Sequence, residues 1–147
     1  ETKDIAQKAL KQIFVGSQFD GIKFGGGLVL YFEDYDSSDS KGLWIWIESE
    51  FSVRQTNNEY FSKGLSQEDE KFLQLYSLRR KKILDINLGD ISPHLYIEFD
   101  SGEVLFINGY HNKYESWEAG NGGESYSPDH WLFVATPGNE IAIWFRK

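Results

Sequence analysis

The sequence predicts a single α+β domain in which two helices cover one face of a largely antiparallel sheet. Three observations predict it. Apolar residues recur at helical spacing in only two stretches, near the start of the chain and after Ser66. Elsewhere they alternate with period two in short segments separated by polar turns, the mark of half-buried strands. The segments also echo one another: Ile22-Lys-Phe-Gly25 returns as Ile86-Asn-Leu-Gly89, and Leu28-Val-Leu-Tyr-Phe32 as Leu95-Tyr-Ile-Glu-Phe99. Each copy follows a helical segment and leads through a polar turn into another apolar strand. The repeated unit is therefore helix, strand, strand, strand, over about residues 4–54 and 66–119, with a closing hairpin over 130–146. Two copies are too few, and each is too long, for a solenoid. At 147 residues the chain suits one domain with its own core, and it contains no interdomain linker.

Taken in order, the first element is a helix: Asp4 and Gln7 offer a capping box, and Ile5, Ala9, Leu10, Ile13 and Phe14 form a stripe that Gly16 ends. From Phe19 the period becomes two, with Leu28, Leu30 and Phe32 on one side of a strand. Gly25-Gly26-Gly27 interrupts two strands, so it reads as a bulge or sharp turn rather than a phosphate loop, which needs a helix N-terminus behind it. After the Asp/Ser-rich turn at 36–40, Leu43, Ile45 and Ile47 alternate with Trp44, Trp46 and Glu48. Residues 55–65 are polar and patternless, a loop. Ser66 with Asp69 caps a second helix, with Phe72, Leu73 and Tyr76 inward and the basic run Arg79-Arg-Lys-Lys82 near its end, where the macrodipole favours cations. Strands follow over 83–88, 95–99, 104–107, 116–119, 131–135 and 141–145. Asp100-Ser-Gly-Glu103 and Pro137-Gly138-Asn139 are the tight turns, and 120–128 is a Gly/Ser/Asn-rich mobile loop.

Lys and Arg number 15 against 23 Asp and Glu, a net charge of −8 that argues against a general nucleic-acid binder. The acidity is concentrated. Six acids against Lys41 fall between Glu33 and Glu50, and eight against Lys113 between Glu98 and Glu140; the remaining residues are net basic. Two readings stand: solvated sheet edges kept soluble by charge, or a field aimed at a basic partner. With no Cys, disulfides, thiol catalysis and thiolate zinc sites are excluded. No apolar run reaches a membrane span and no signal sequence opens the chain, so the expectation is a soluble cytoplasmic protein.

Catalytic chemistry finds little support. His94, His111 and His130 lack the spacing of zinc-ligand pairs, and Asp129-His130 has no nucleophile context, so neither a metal nor a cofactor is expected. The carboxylate pairs Glu33/Asp34 and Glu115/Glu118 would do glycosidase work only at a defined separation across a cleft. The most distinctive segment is His111-Asn-Lys-Tyr114-Glu115-Ser-Trp117-Glu118, where aromatics interleave with acids. It reads either as an interface hot spot or as a core Trp117 with solvated neighbours. Trp44 and Trp46 share a face and are read first as packing residues.

Leu95-x-Ile-x-Phe99-Asp-Ser-Gly-x-Val-Leu-x-Ile107, followed by Tyr114-Glu115-Ser-Trp117-Glu118, resembles the C-terminal core of small bacterial immunity proteins of contact-dependent growth inhibition and other polymorphic-toxin systems. Ala135-Thr-Pro-Gly138 with Ile141-Ala-Ile-Trp144 is similar to their closing hairpin. The resemblance covers residues 83–147, and the first half only through the echo. It implies a non-enzymatic cytoplasmic protein that blocks a cognate toxin C-terminal domain, often a nuclease. An acidic inhibitor suits a basic substrate channel. The expected partner-binding residues are Glu33, Asp34, Asp36, Asp39, His111, Tyr114, Glu115, Trp117 and Glu118, with neither nucleic acid nor membrane as partner. The alternative is an exported carbohydrate-binding module with Trp44, Trp46 or Trp117 as sugar platform.

Overall fold

A computed structural model describes residues 1–36, 42–54, 66–122 and 130–146, with the backbone alone for Arg146. In chain order its elements are α1 (Thr2–Phe14), β1 (Gln18–Phe24), β2 (Leu28–Glu33), β3 (Leu43–Ile47), β4 (Phe51–Arg54), α2 (Gln67–Tyr76), β5 (Ile83–Leu88), β6 (Leu95–Phe99), β7 (Val104–Ile107), β8 (Trp117–Gly120), β9 (His130–Thr136) and β10 (Glu140–Arg146). The α+β class holds, with all strand pairs antiparallel. The strands divide between two sheets, ordered β1-β2-β3-β8-β9-β10 and β4-β7-β6-β5. The predicted turn at 36–40, loop at 55–65 and loop at 120–128 fall largely or wholly outside the described residues.

The division follows from two crossings. Glu48, Ser49 and Glu50 link β3 to β4 without reversing the chain, which leaves the first sheet there and pairs with β7 in the second. After β7 the chain makes the reciprocal move, and β8 pairs with β3. Glu48 N–H donates to Ser116 O at 3.0 Å and Asn108 N–H to Glu50 O at 2.8 Å, one bond from each crossing. The sequence reading has no strand at β4, which is only four residues long and has no apolar residue beyond Phe51 and Val53.

The strand registers of the two halves correspond. Leu28 pairs with Ile47 and Leu30 with Ile45; Leu95 pairs with Ile107 and Ile97 with Leu105. β1 shifts register between Phe19 and Gly21, and β5 shifts between Ile83 and Asp85. The two units also meet through matching bonds: Phe19 N–H donates to Lys81 O and Ile83 N–H to Ser17 O, both at 2.9 Å, around a bridge between Gln18 and Lys82.

The inner faces of both sheets share one apolar cluster in which Phe14, Phe32, Phe99, Trp117 and Phe133 are fully or almost fully buried. Each such side chain contributes about 1.5–3 kcal/mol relative to exposure. α1 lies against β5 and β10 and buries Ala6, Ala9, Leu10 and Phe14. Its cap lies earlier than Asp4/Gln7 predicts, since Glu1 forms the box with Asp4. Ile5 falls off the stripe into solvent.

In α2, Ser66 Oγ accepts from Asp69 N–H at 3.1 Å, as the sequence predicts. Its inward residues differ, because the buried positions Leu75 and Leu78 lead into the turn after the helix and leave Leu73 and Tyr76 exposed. The basic run lies in that turn, beyond the helix end, where Lys81 reaches Glu103 at 2.6 Å and Lys82 reaches Asp36 at 3.2 Å.

Candidate functional site

Where the two crossings meet, the surface opens into a cleft of about 700 Å³ lined by Gly27, Glu48, Ser49, Glu50, Asn108, His111, Tyr114, Glu115 and Ser116. The crossings themselves supply most of this lining. Gly27 closes the β1–β2 turn at φ 137°, and a Cβ there would lie 2.0 Å from Trp46 Nε1, so only glycine lets the indole cover the turn. All three glycines of that run have positive φ, which confirms a sharp turn.

Among the described residues three carboxylates line the cleft and no Lys or Arg does. Lys71 of α2 reaches Glu50 from one side at 3.3 Å. Glu118 stands beside the cleft on β8, in register with Trp46 and Val134. Burial holds its carboxyl above the usual range, and repulsion from Glu115 and then Glu48 adds to this. Glu48, Glu115 and Glu118 therefore share one field. Among the described residues no three His, Asp or Glu side chains form a metal-binding group.

His111 organises the rim. Its Nδ1 accepts from Lys113 N–H at 2.9 Å and Tyr114 N–H at 3.0 Å, which leaves Nε2 as the nitrogen that carries the proton in the neutral ring. Its ring lies 5.0 Å from that of Tyr114, and its carbonyl accepts from Gly138 N–H at 2.8 Å, which ties the rim to the closing hairpin. Tyr114 is 68% exposed, an aromatic surface beside the acids. Inside, Ser116 Oγ is buried with no hydrogen-bond partner among the described residues.

The predicted site residues separate into three groups. His111, Tyr114 and Glu115 line the cleft, with Glu118 adjacent. Trp117 does not belong to a surface: it is fully buried, and its indole N–H donates to Pro93 O at 2.8 Å. The strand alternation that turns Glu118 outward turns Trp117 into the core, so its side chain offers no surface to a partner or a sugar. Glu33, Asp34 and Asp36 lie at the far end of β2, roughly 20 Å of strand from Gly27. There Asp34 Oδ1 accepts from Asp36 N–H at 3.1 Å, and Asp36 pairs with Lys82. Asp39 lies outside the described residues, as does Asp129.

The two acidic stretches thus meet only in part: Glu48 and Glu50 of the first join Glu115 of the second in the cleft, while Glu33, Asp34 and Asp36 lie apart. Glu48 and Glu50, absent from the predicted site, replace the first group in the cleft; the available signal was the three-residue Glu48-Ser-Glu50 link between two apolar strands. Trp44 and Trp46 are half-buried, Trp44 lying over Gly120 with its N–H donated to Gly122 O at 3.1 Å. His94, whose Nδ1 accepts from Gly109 N–H at 2.9 Å, has its pKa pushed down by burial.

Among the described residues no helix is long and apolar enough to cross a membrane. No curated protein and no solved structure matches the chain. A family model does match, over residues 10–145, which takes in the cleft and nearly all of both helix-and-strand units and of the closing hairpin. The chain belongs to this family, DUF6188, described as a family of unknown function.

Proposed function

We propose that the chain is an immunity protein that binds and neutralises a cognate bacterial toxin domain, using the acidic cleft and its His111–Tyr114 rim as the binding surface. The observation that carries the reading is the set of carboxylates from Glu48, Glu50 and Glu115, with Glu118 beside them, in a cleft whose described lining has no Lys or Arg and which Lys71 meets only at Glu50. A basic side chain of a partner relieves that repulsion and gains specificity from it. Tyr114 adds contact area at small entropic cost. The toxin is a basic domain, a nuclease in the first instance, and the action is binding without catalysis or cofactor, in the cytoplasm where such a toxin acts.

The test is co-expression with the toxin C-terminal domain encoded beside this chain's gene. The expected result is a one-to-one complex with a dissociation constant on the order of nanomolar or below, and protection of cells. No binding heat together with no protection would overturn the reading.

A further inference from the structure

The two repeats treat their outer strand edges differently. On β5, the outward N–H of Ile86 is taken by its neighbour Asp85 Oδ1 at 2.9 Å, and that of Leu88 by Gln7 Oε1 of α1 at 2.9 Å. Lys11 of α1 braces the same edge, reaching Asp85 Oδ1 at 2.6 Å and Asn87 Oδ1 at 2.8 Å. That edge is sealed, as solvent-facing edges commonly are.

On β1 the register makes Ile22 the counterpart of Ile86 and Phe24 that of Leu88, since Ile22 faces Leu30 as Ile86 faces Ile97 and Phe24 faces Leu28 as Leu88 faces Leu95. No described residue caps the N–H of Ile22 or Phe24 from the open side. Gly21 stands where Asp85 stands, so the capping carboxylate is missing. α2 leaves a gap beside this edge instead of closing it: a groove of about 380 Å³ runs between β1 and α2, with Phe24 and Phe72 rings 5.3 Å apart in its wall. Phe24 is 64% exposed.

The charges around this groove oppose those of the chain as a whole. Lys23, Arg79 and Arg80 are exposed and have no carboxylate partner among the described residues. Asp20, the one acid among the described lining residues, accepts from the Tyr35 hydroxyl. We propose that the open edge of β1 binds an extended acidic segment of another protein, which adds as a strand along residues 21–24 and places an apolar side chain in the groove against Phe24 and Phe72. Backbone bonds to Ile22 and Phe24 supply register, and the basic rim selects acidic neighbours. A second copy of this chain is disfavoured, because pairing two β1 edges sets basic rims together in molecules that each carry −8. The proposal does not depend on the cleft and stands or falls separately from it.

The probe is a capped peptide of roughly seven residues, alternating Glu and Val, titrated into isotope-labelled full-length protein and compared with its Lys/Val analogue. The expected result is saturable shifts at Gly21, Ile22, Lys23, Phe24 and Phe72, with the Lys analogue at least about tenfold weaker. Gly21→Asp should restore the cap found on β5 and weaken binding at least about tenfold. A side chain fits there, since a Cβ at Gly21 meets only Tyr31 atoms at 3.7 Å. Should that variant fold poorly, Lys23→Glu, on an exposed position, should shift preference toward the Lys analogue. The proposal is overturned by equal binding of both peptides, by no saturable shift up to about 1 mM peptide, by shifts centred on the cleft, or by self-association through β1.

Discussion

Arg80 holds the left-handed backbone conformation, φ 69°, that Gly16 holds at φ 90° one repeat earlier, and the two N–H groups make matching bonds, Arg80 to Phe19 O at 2.7 Å and Gly16 to Ile83 O at 2.9 Å. Arg80 is the one non-glycine at positive φ among the described residues. The junction between the repeats needs this turn on both sides, and only one side has the residue that adopts it without strain.

The same replacement should therefore give different results at the two places. Gly16→Ala is expected to destabilise by about 1 kcal/mol, since a Cβ in the left-handed region costs that much. Arg80→Ala should change stability by less than about 0.5 kcal/mol, because the native residue already bears the cost. Urea denaturation of both variants checks this, and equal losses would contradict it.

The echo was legible because the repeated strands present matching apolar positions, Leu28 with Leu95 and Phe32 with Phe99, to one core. Their exchange of fourth strands was not. Whether Phe51 continues beside β3 or crosses to β7 depends on where β7 lies, which no local pattern encodes. The cleft was hidden for the same reason, since it forms only where the crossings meet. His111, Tyr114 and Glu115 could be singled out because they stand together in the chain. Glu48 and Glu50 reach them only through the bend, and Lys82 reaches Asp36 only through the fold. Trp117 was ambiguous because a strand of four residues alternates too briefly to show which side faces in.

Trp117→Phe should destabilise the chain by roughly 2–3 kcal/mol, from lost volume in a fully buried site and the loss of the bond to Pro93 O. Affinity for the proposed toxin partner should be unchanged once the fraction folded is allowed for. Thermal denaturation with calorimetry separates the two, and a selective loss of affinity would return Trp117 to the interface.

Charge steering should be confined to the cleft. Neutralising Glu48, Glu50 and Glu115 is expected to slow association roughly tenfold at low salt and to flatten its salt dependence. Asp34→Asn with Asp36→Asn should leave the on-rate within about twofold, since these acids lie at the other end of β2 and Asp36 already faces Lys82. Stopped-flow association across ionic strength distinguishes these outcomes.

Asp85 gives the acid limb of stability. Its carboxyl is held below the usual range chiefly by the hydrogen bond from Lys11, with help from Asn87 and the Ile86 N–H, against an opposing effect of burial. A carboxylate depressed on folding adds stability that is present above the unfolded value and is lost as pH falls through the folded one. Asp85→Asn should therefore be less stable than wild type at pH 7. The gap should close as pH drops below about 4, as followed by denaturation at successive pH values.

Glu118 carries the opposite sign, and that makes it the sharpest test of the cleft. Its carboxyl is raised on folding, so its favourable contribution is complete below the unfolded value and is lost as pH rises through the folded value. At neutral pH the wild-type chain bears the cost of a half-buried charge beside Glu115 and Glu48. Glu118→Gln removes that charge while keeping size and polarity. It should raise the melting temperature at pH 7 by roughly 1–3 °C, an advantage that vanishes below about pH 4. The complex should respond the other way. A toxin cation seated in the cleft favours the ionised form, so wild-type binding should tighten as pH rises through the raised value, whereas the variant should lack that component. Glu115→Gln with Glu118→Gln should lose roughly 2 kcal/mol of binding, about thirtyfold in affinity. Calorimetry across pH on both chains measures the linkage. A variant that is more stable at pH 7 yet binds as tightly as wild type would mean that the carboxylates repel one another for no partner's benefit and that the toxin binds elsewhere.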